Sequence, residues 1–325
     1  LAIYKLYGQM AYNQQRAALL PHPQGKRKVV LATAIAETSL TIEGIKIVID
    51  GGYMRSGKFN PNTGLNKLVT IPVTADTANQ RAGRAGRLGP GICFRLWSKG
   101  SQANLIPFRQ PEIMEADLSP LALELYQWGT HDPSRLNWVN PPPSGNWTQA
   151  VETLKNLGAI TNKNITPHGE SLHDFPCHPR IAHLLVYSQL LGLEALGTDL
   201  AAILEEKDPL GPGRGIDINL RIEELRRYRS GTSTYFNFEK IEQVAKAYRQ
   251  ILSIKAENSA IDPYATGLLI GQAFPERIAK AGDQAQFKLS NGKLARMDKN
   301  DNMASEDWIA IAHMDERDGV GKIFL

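Results

Sequence analysis

Lys28-Val29-Val30-Leu31-Ala32-Thr33-Ala34-Ile35-Ala36-Glu37-Thr38-Ser39-Leu40-Thr41-Ile42-Glu43-Gly44-Ile45-Lys46-Ile47-Val48-Ile49-Asp50 is the stretch whose reading decides the fold class. Two apolar runs, Lys28–Thr33 and Ile45–Asp50, flank a segment dense in hydroxyls. An apolar run without polar alternation suits a strand buried on both faces, as in a parallel sheet. Strand, connection and strand at this spacing predict an α/β layer, and such layers bind ligands at the carboxyl ends of their strands. The hydroxyls stand at such an end, where they either hold phosphate or sugar oxygens or merely cap a helix.

Working outward, Ile3–Tyr7 reads as a further strand with a turn at Gly8. Tyr12–Leu20 reads as a helix stopped by Pro21 and Pro23. Lys26, Arg27 and Lys28 form a basic run, either solvated or touching phosphate. Downstream, Asn60-Pro61-Asn62-Thr63-Gly64 is a strong turn signal, so Phe59–Thr70 is predicted to be a β-hairpin. Thr77–Arg87 is predicted to be a helix carrying Gln80-Arg81-Ala82-Gly83-Arg84-Ala85-Gly86-Arg87, and Gly91–Trp97 returns as a strand. At helical spacing Arg81, Arg84 and Arg87 fall on roughly one face. Guanidinium groups grip phosphate through paired hydrogen bonds and keep their charge. Read alone, the array is either an anion clamp or a solvated basic turn.

The composition shifts after about Ser98. Ser119-Pro120 opens a helix running to Gly129. Pro141-Pro142-Pro143 is a stiff connector, and Asn146 is placed as the cap of a helix with Val151, Leu154 and Leu157 inward. Two helices and a small hairpin near Ala159–Thr166 suggest a winged-helix unit, against a generic small α+β domain. Residues 181–280 carry five amphipathic helical patterns. The tail reads as strands around the Ser290-Asn291-Gly292 turn, ending in a β-barrel that is cut short. Trp97, Trp128, Trp138 and Trp147 are assigned to cores. Arg221, Arg226, Arg227 and Arg229 either line a nucleic-acid channel or form a solvated helix face.

Composition narrows the function classes. The 325 residues hold 37 Lys and Arg against 33 Asp and Glu, a net charge of +4, which permits an anionic partner without demanding one. Two cysteines, Cys93 and Cys177, argue against a disulfide framework. Polar residues interrupt the most apolar run, 184–204, which therefore reads as packed helices rather than a membrane span. His168, His173, Cys177, His178 and His183 match no zinc spacing and are read as packing at a domain junction, so no metal site is predicted. The chain opens on Leu1 beside a strand, so absent motifs are not taken as absent from a larger protein.

In that order, ATAIAETSLTIEGIKIVID and QRAGRAGR resemble motifs V and VI of the DEAH-box helicases of superfamily 2. PGICFRLW, IMEADLSPLALELYQWG, HPRIAHLL and LLIGQAFPERIA resemble the HrpB-type bacterial DEAH-box RNA helicases, and the resemblance covers nearly the whole chain. It implies a multidomain chain: a second RecA-like domain with a parallel sheet over 1–100, incomplete at its start; a linker and winged helix over 101–180; a ratchet-like helical bundle over 181–280; and an OB-like β-domain over 281–325. It implies that Gln80, Arg84 and Arg87 face the triphosphate, with Arg84 and Arg87 as arginine fingers. Thr41 and Glu43 match nucleotide-side positions, although many relatives carry Asp where Glu43 stands. Thr33 and Thr38 match the nucleic-acid side, Ala34 replaces an expected Asn, and Gly8 matches the end of motif IV. The cofactors implied are ATP and Mg²⁺. No GxxxxGK[ST] loop and no Asp-Glu-Ala-His box occur in these residues, so the Mg²⁺ ligands are expected on the first RecA-like domain, upstream. Partners implied are single-stranded or duplex RNA and that first domain of the same parent chain, in a monomeric, cytoplasmic protein with no membrane contact. DNA as the substrate, or a non-catalytic nucleic-acid-binding protein built from helicase modules, are the alternatives.

Overall fold

The computed structural model describes the chain except residues 9, 11, 38–41, 61–64, 88, 211–212, 234–236 and 318–319, and gives only the backbone of 60, 65–68, 316 and 317. The chain divides into two compact units: Leu1–Lys58 with Leu68–Glu115, and Phe59–Lys67 with Ala116–Leu325.

The first unit is α/β. Strand β1 (Ala2–Leu6) leads through helix α1 (Tyr12–Leu19) to β2 (Lys28–Ala32), and β1 and β2 pair in parallel. Lys28 fixes that crossover, its Nζ donating to the Ala18 carbonyl at the end of α1 at 2.6 Å. Strand β3 (Ile47–Asp50) pairs in parallel with β6 (Ile92–Arg95). Between them come β4 (Tyr53–Asn60) and β5 (Leu65–Pro72), paired with each other, and α2 (Ala75–Gly83). Helix α3 (Lys99–Ala103) follows β6, its first turn capped by the Ser98 hydroxyl.

Among the described residues the parallel strands form two separate pairs, β1–β2 and β3–β6, rather than one sheet, and residues of β2 and β3 line a cavity. The β4–β5 hairpin begins at Tyr53, six residues earlier than predicted, and its central turn lies outside the described residues. Helix α2 stops at Gly83, with Arg84 as its C-cap. Gly83 and Gly86 carry a high helical cost, so the array does not continue as a helix.

Among the described residues the second unit holds eight further α-helices. α4 (Ser119–Gln127), α5 (Ser144–Asn156) and α6 (Pro167–His173) pack together, and a single antiparallel bridge joins Ile160 to Ile165. Helices α7 (Pro179–Leu190), α8 (Glu194–Glu205), α9 (Ile218–Arg229), α10 (Glu239–Ile251) and α11 (Pro263–Ala273) then form a bundle around Leu184, Leu185, Leu200, Ile222 and Leu269, all fully buried. The chain closes in a six-stranded sheet built from β7 (Ile278–Ala281), β8 (Gln286–Leu289), β9 (Leu294–Arg296), β10 (Trp308–Ala310), β11 (Met314–Arg317) and β12 (Val320–Ile323). Its spatial order is β10-β7-β8-β9-β12-β11, a half-barrel sheet whose inner face buries Phe287, Leu289, Ala295 and Ile323.

Asn146 does not cap α5. The helix starts at Ser144, and Asn146 is buried inside it, donating from Nδ2 to the Ala116 carbonyl. Trp128 is no core anchor: it caps α4 and is 72% exposed. The arginines of α9 are engaged by acids. Arg221 is held by Asp208, Arg226 and Arg229 by the buried Asp199, and the exposed Arg227 by Glu224. Among the described residues no group of three or more His, Cys, Asp or Glu gathers to hold a metal. The histidines pair instead: His168 Nε2 with His183 Nδ1 at 2.7 Å, His178 with Asp117 at 3.1 Å, and His173 with Glu124 at 3.0 Å. Among the described residues no helix is long and apolar enough to cross a membrane.

Candidate functional site

The site begins with the way α2 is seated. Its first N–H groups are not available to an anion, because Ala75 and Asp76 donate to the carbonyls of Ile106 and Pro107 at 2.8 and 3.1 Å. The arginines stand at the other end, where unpaired carbonyls and the negative pole of the helix favour cations. Arg95 of β6 ties the helix to the strand pair, bonding Asn79 at 2.7 Å and Gln102 at 2.8 Å. Gly91 fixes the turn after the array: a β-carbon there would lie 2.1 Å from the Ala85 carbonyl oxygen, closer than any real contact. Only glycine lets β6 start that near the array.

Arg81 is the anchor. Its Nε and Nη2 both reach Glu37 Oε1, at 2.8 and 2.6 Å, while Nη1 donates to Asp50 Oδ1 at 2.8 Å and to the Tyr53 carbonyl at 3.1 Å. Burial works against the Arg81 charge, but hydrogen bonds and attraction from Glu37 and Asp50 outweigh it and raise its pKa. Asp50 is buried at the carboxyl end of β3, where Oδ1 also accepts from the Gly52 N–H at 2.9 Å. Arg84 donates to the Glu37 backbone carbonyl. Glu37 is therefore gripped twice, by side chain and by backbone, from two members of the array.

The arrangement borders a cavity of about 530 Å³. Its lining includes the apolar Val30, Ile47 and Ile49 together with Thr33, Glu37, Arg81, Arg84 and Arg87. Three guanidiniums and a hydroxyl around one space make an anion-binding wall. The two carboxylates that border it are engaged with Arg81 through Glu37 Oε1 and Asp50 Oδ1, while Asp50 Oδ2 is buried with no hydrogen-bond partner among the described residues.

The residues expected at the site fall into three groups. Thr33, Arg84 and Arg87 line the cavity, with Thr33 held at the end of β2 by its N–H to the Leu6 carbonyl. Gln80, Glu43 and Gly8 are exposed and stand outside the lining. Thr38 and Thr41 lie outside the described residues. Sequence reasoning missed Glu37, Asp50 and Tyr53 as partners of Arg81. The available signal was an acid ending each apolar or hydroxyl-rich run, but no local pattern says which cation an acid meets.

Residues 1–89 match the helicase conserved C-terminal domain. The chain is 38% identical over 305 residues to the ATP-dependent RNA helicase HrpB of Escherichia coli, which covers 94% of this chain and 36% of that protein. It is 37% identical over 206 residues to the pre-mRNA-splicing factor ATP-dependent RNA helicase prp22 of Schizosaccharomyces pombe, covering 63% of this chain and 18% of that protein. A crystal structure of the E. coli DExH-box NTPase HrpB superimposes with a TM-score of 0.82 at 35% identity, covering 99% of this chain and 38% of that one. One of the E. coli DEAH/RHA helicase HrpB gives 0.85 at 34%, covering 100% and 40%.

The first unit is thus a helicase C-terminal domain of RecA-like fold. The chain as a whole is homologous to DEAH-box ATP-dependent RNA helicases such as HrpB, of which it represents a C-terminal portion. It spans little more than a third of the length of the HrpB proteins it matches.

Proposed function

We propose that the chain supplies one wall of a nucleotide site in an ATP-dependent RNA helicase, and that hydrolysis between two RecA-like domains moves the protein along single-stranded RNA. One observation carries this reading: Thr33, Arg84 and Arg87 converge on a single cavity from separate parts of the sequence. Arg84 and Arg87 stabilise the charge that develops on the transferred phosphoryl group. Arg81, already saturated by Glu37 and Asp50, positions them. Thr33 contacts the nucleic-acid backbone, with Thr38 nearby in sequence, while Gln80, Thr41 and Glu43 serve the nucleotide. Mg²⁺ supplies charge neutralisation from ligands elsewhere in the parent protein.

In the same reading, 101–180 is a linker and winged helix, 181–280 a ratchet-like bundle, and 281–325 an OB-like β-domain. They close over single-stranded RNA in a cytoplasmic, monomeric protein. Backbone contacts dominate such channels, so affinity falls steeply with salt and little with sequence.

Residues 1–325 alone are expected to show no RNA-stimulated ATPase activity. In the longer parent protein, Arg84→Ala or Arg87→Ala is expected to lower kcat by about 10³-fold or more while leaving RNA affinity within a few-fold. Loss of RNA binding with hydrolysis intact would refute the assignment.

A further inference from the structure

We infer that Glu115 is a positioning residue for the cavity, holding Arg55 at the lining as a further phosphate-binding guanidinium. This extends the nucleotide-site reading, on which it rests, to the β4–β5 hairpin. Arg55 borders the same cavity as Arg81, Arg84 and Arg87, yet it belongs to β4 rather than to the array. It is exposed, and among the described residues no acid pairs with it. Arg81, by contrast, is saturated by Glu37 and Asp50. A guanidinium at a cavity without an acid partner can take a phosphate through two parallel hydrogen bonds.

What fixes Arg55 is the way β4 is fastened. A two-stranded ribbon holds its shape poorly in water by itself, and among the described residues β4 and β5 pair only with each other. Alternate residues of a strand share a face. On one face of β4, Met54 and Ser56 are buried; on the other, Tyr53, Arg55 and Gly57 are exposed. Met54 packs with Val73 and Ala78 in the core of the first unit. Ser56 and Lys58, further along the same face, both reach Glu115. The Ser56 hydroxyl donates to Oε2 at 3.1 Å, and Lys58 Nζ lies 3.4 Å from Oε1. Each oxygen of one carboxylate thus holds a different β4 residue.

Glu115 is the fixed member of this contact. It follows the single helical turn Glu112–Met114, and its side chain is 14% exposed against 52% for Lys58. Arg55 therefore stands between two fastenings, Met54 on the core and Ser56 on Glu115. Removing the second leaves a buried hydroxyl without its acceptor, which is unfavourable, and frees β4 beyond Met54. A wall that must be ordered when ligand enters binds more weakly than one already in place. Loss of Glu115 is thus expected to weaken phosphate binding while sparing the chemical step.

The deciding measurement is amide hydrogen exchange across β4 and β5 in residues 1–325. Glu115→Ala should speed exchange there about tenfold, and Glu115→Gln, which still accepts from Ser56, about fivefold. Combining Lys58→Glu with Glu115→Lys should restore protection. In the longer parent protein, Arg55→Ala should raise either the KM for ATP or the apparent Kd for single-stranded RNA about tenfold, with kcat within about twofold. The constant that moves tells whether the phosphate belongs to the nucleotide or to the nucleic acid. Glu115→Gln should raise the same constant by less, and should add nothing to Arg55→Ala, because it acts through Arg55. Unchanged exchange in Glu115→Ala, or additive effects in the double variant, would overturn the positioning role. Both constants unchanged in Arg55→Ala would overturn the phosphate contact. Faster exchange reversed by the charge swap, in a parent protein that binds RNA but hydrolyses no ATP, would uphold the tether and refute only the nucleotide-site reading.

Discussion

Glu37 and Asp50 decide whether the array has one geometry or many. Arg81 draws both carboxylates to one guanidinium, in a pocket where the Asp50 side chain is 1% exposed. Removing one partner of a buried ion pair strands the other charge, which costs about 3–5 kcal/mol. Asp50→Ala is therefore expected to destabilise the first unit by about 3 kcal/mol in urea unfolding. Glu37→Gln should cost less, because Asp50 still holds Arg81 and the Glu37 carbonyl still accepts from Arg84. If Glu37→Gln proved the more damaging, Glu37 rather than Asp50 would be the principal anchor. Gly91→Ala tests the seat of the array from the other side. Its methyl meets the Ala85 backbone rather than a movable side chain, so a loss of more than about 2 kcal/mol is expected. At this scale the sequence was half legible. Arg84 and Arg87 announce themselves through spacing and the glycines between them. Their acidic anchors do not, because ion pairing across 31 or 44 residues leaves no local trace.

At the level of elements, the helices were readable because burial repeats every three or four residues and prolines and glycines punctuate their ends. The five amphipathic patterns read over 181–280 correspond to helices α7 to α11. What could not be read was how charged helices dock. α9 carries Arg226 and Arg229 to the carboxylate of Asp199 on α8, with Arg249 of α10 as a third cation and Glu242 bridging Arg229 and Arg249. One buried acid thus joins three helices. Asp199→Asn is expected to cost about 3–5 kcal/mol, seen as a shifted urea midpoint without loss of helix at zero denaturant. The junction helices α6 and α7 carry a pH-dependent contribution. Burial, aided by the neighbouring His168, pulls the His183 pKa from 6.5 down to about 4. The folded state therefore binds this proton less readily than the unfolded chain. Its contribution is complete above pH 6.5 and is lost as pH falls toward about 4, by about 3 kcal/mol in all. His183→Gln should flatten the stability profile over that interval. Asp117 acts lower on the scale. Burial raises its pKa, but His178 and the Ser119 N–H and hydroxyl outweigh that and hold it at about 2. Its contribution persists until pH falls from about 4 toward 2, so the two residues are separable in one acid titration.

For the whole molecule, the telling feature is apolar surface in the first unit. Parallel sheets are ordinarily covered on both faces. Here Ile47 and Ile92 are register partners, as are Ile49 and Phe94, and all four are exposed, Ile49 at 68% and Phe94 at 52%. On the other pair Ile3 and Val29 are likewise partnered and exposed, with Leu31 beside them. The sequence marked these runs as buried on both faces, because their composition is that of central strands. Among the described residues one face of each pair carries these exposed apolar side chains, and residues of β2 and β3 line the cavity. Composition records the environment a strand is suited to, and the structure shows which part of that environment these 325 residues supply. The consequence is measurable. The chain should bind an anilinonaphthalene dye strongly under native conditions, with cooperative melting retained. Ile49→Lys together with Phe94→Lys should abolish much of that fluorescence and change stability by no more than about 0.5 kcal/mol per site, because neither side chain gives up buried packing. A core substitution such as Leu200→Ala in the second unit should do the reverse, costing about 2–5 kcal/mol with no loss of dye binding. If the double lysine variant melted as the core variant does, those isoleucine and phenylalanine side chains would be packed in solution, and the bare face would have to be abandoned.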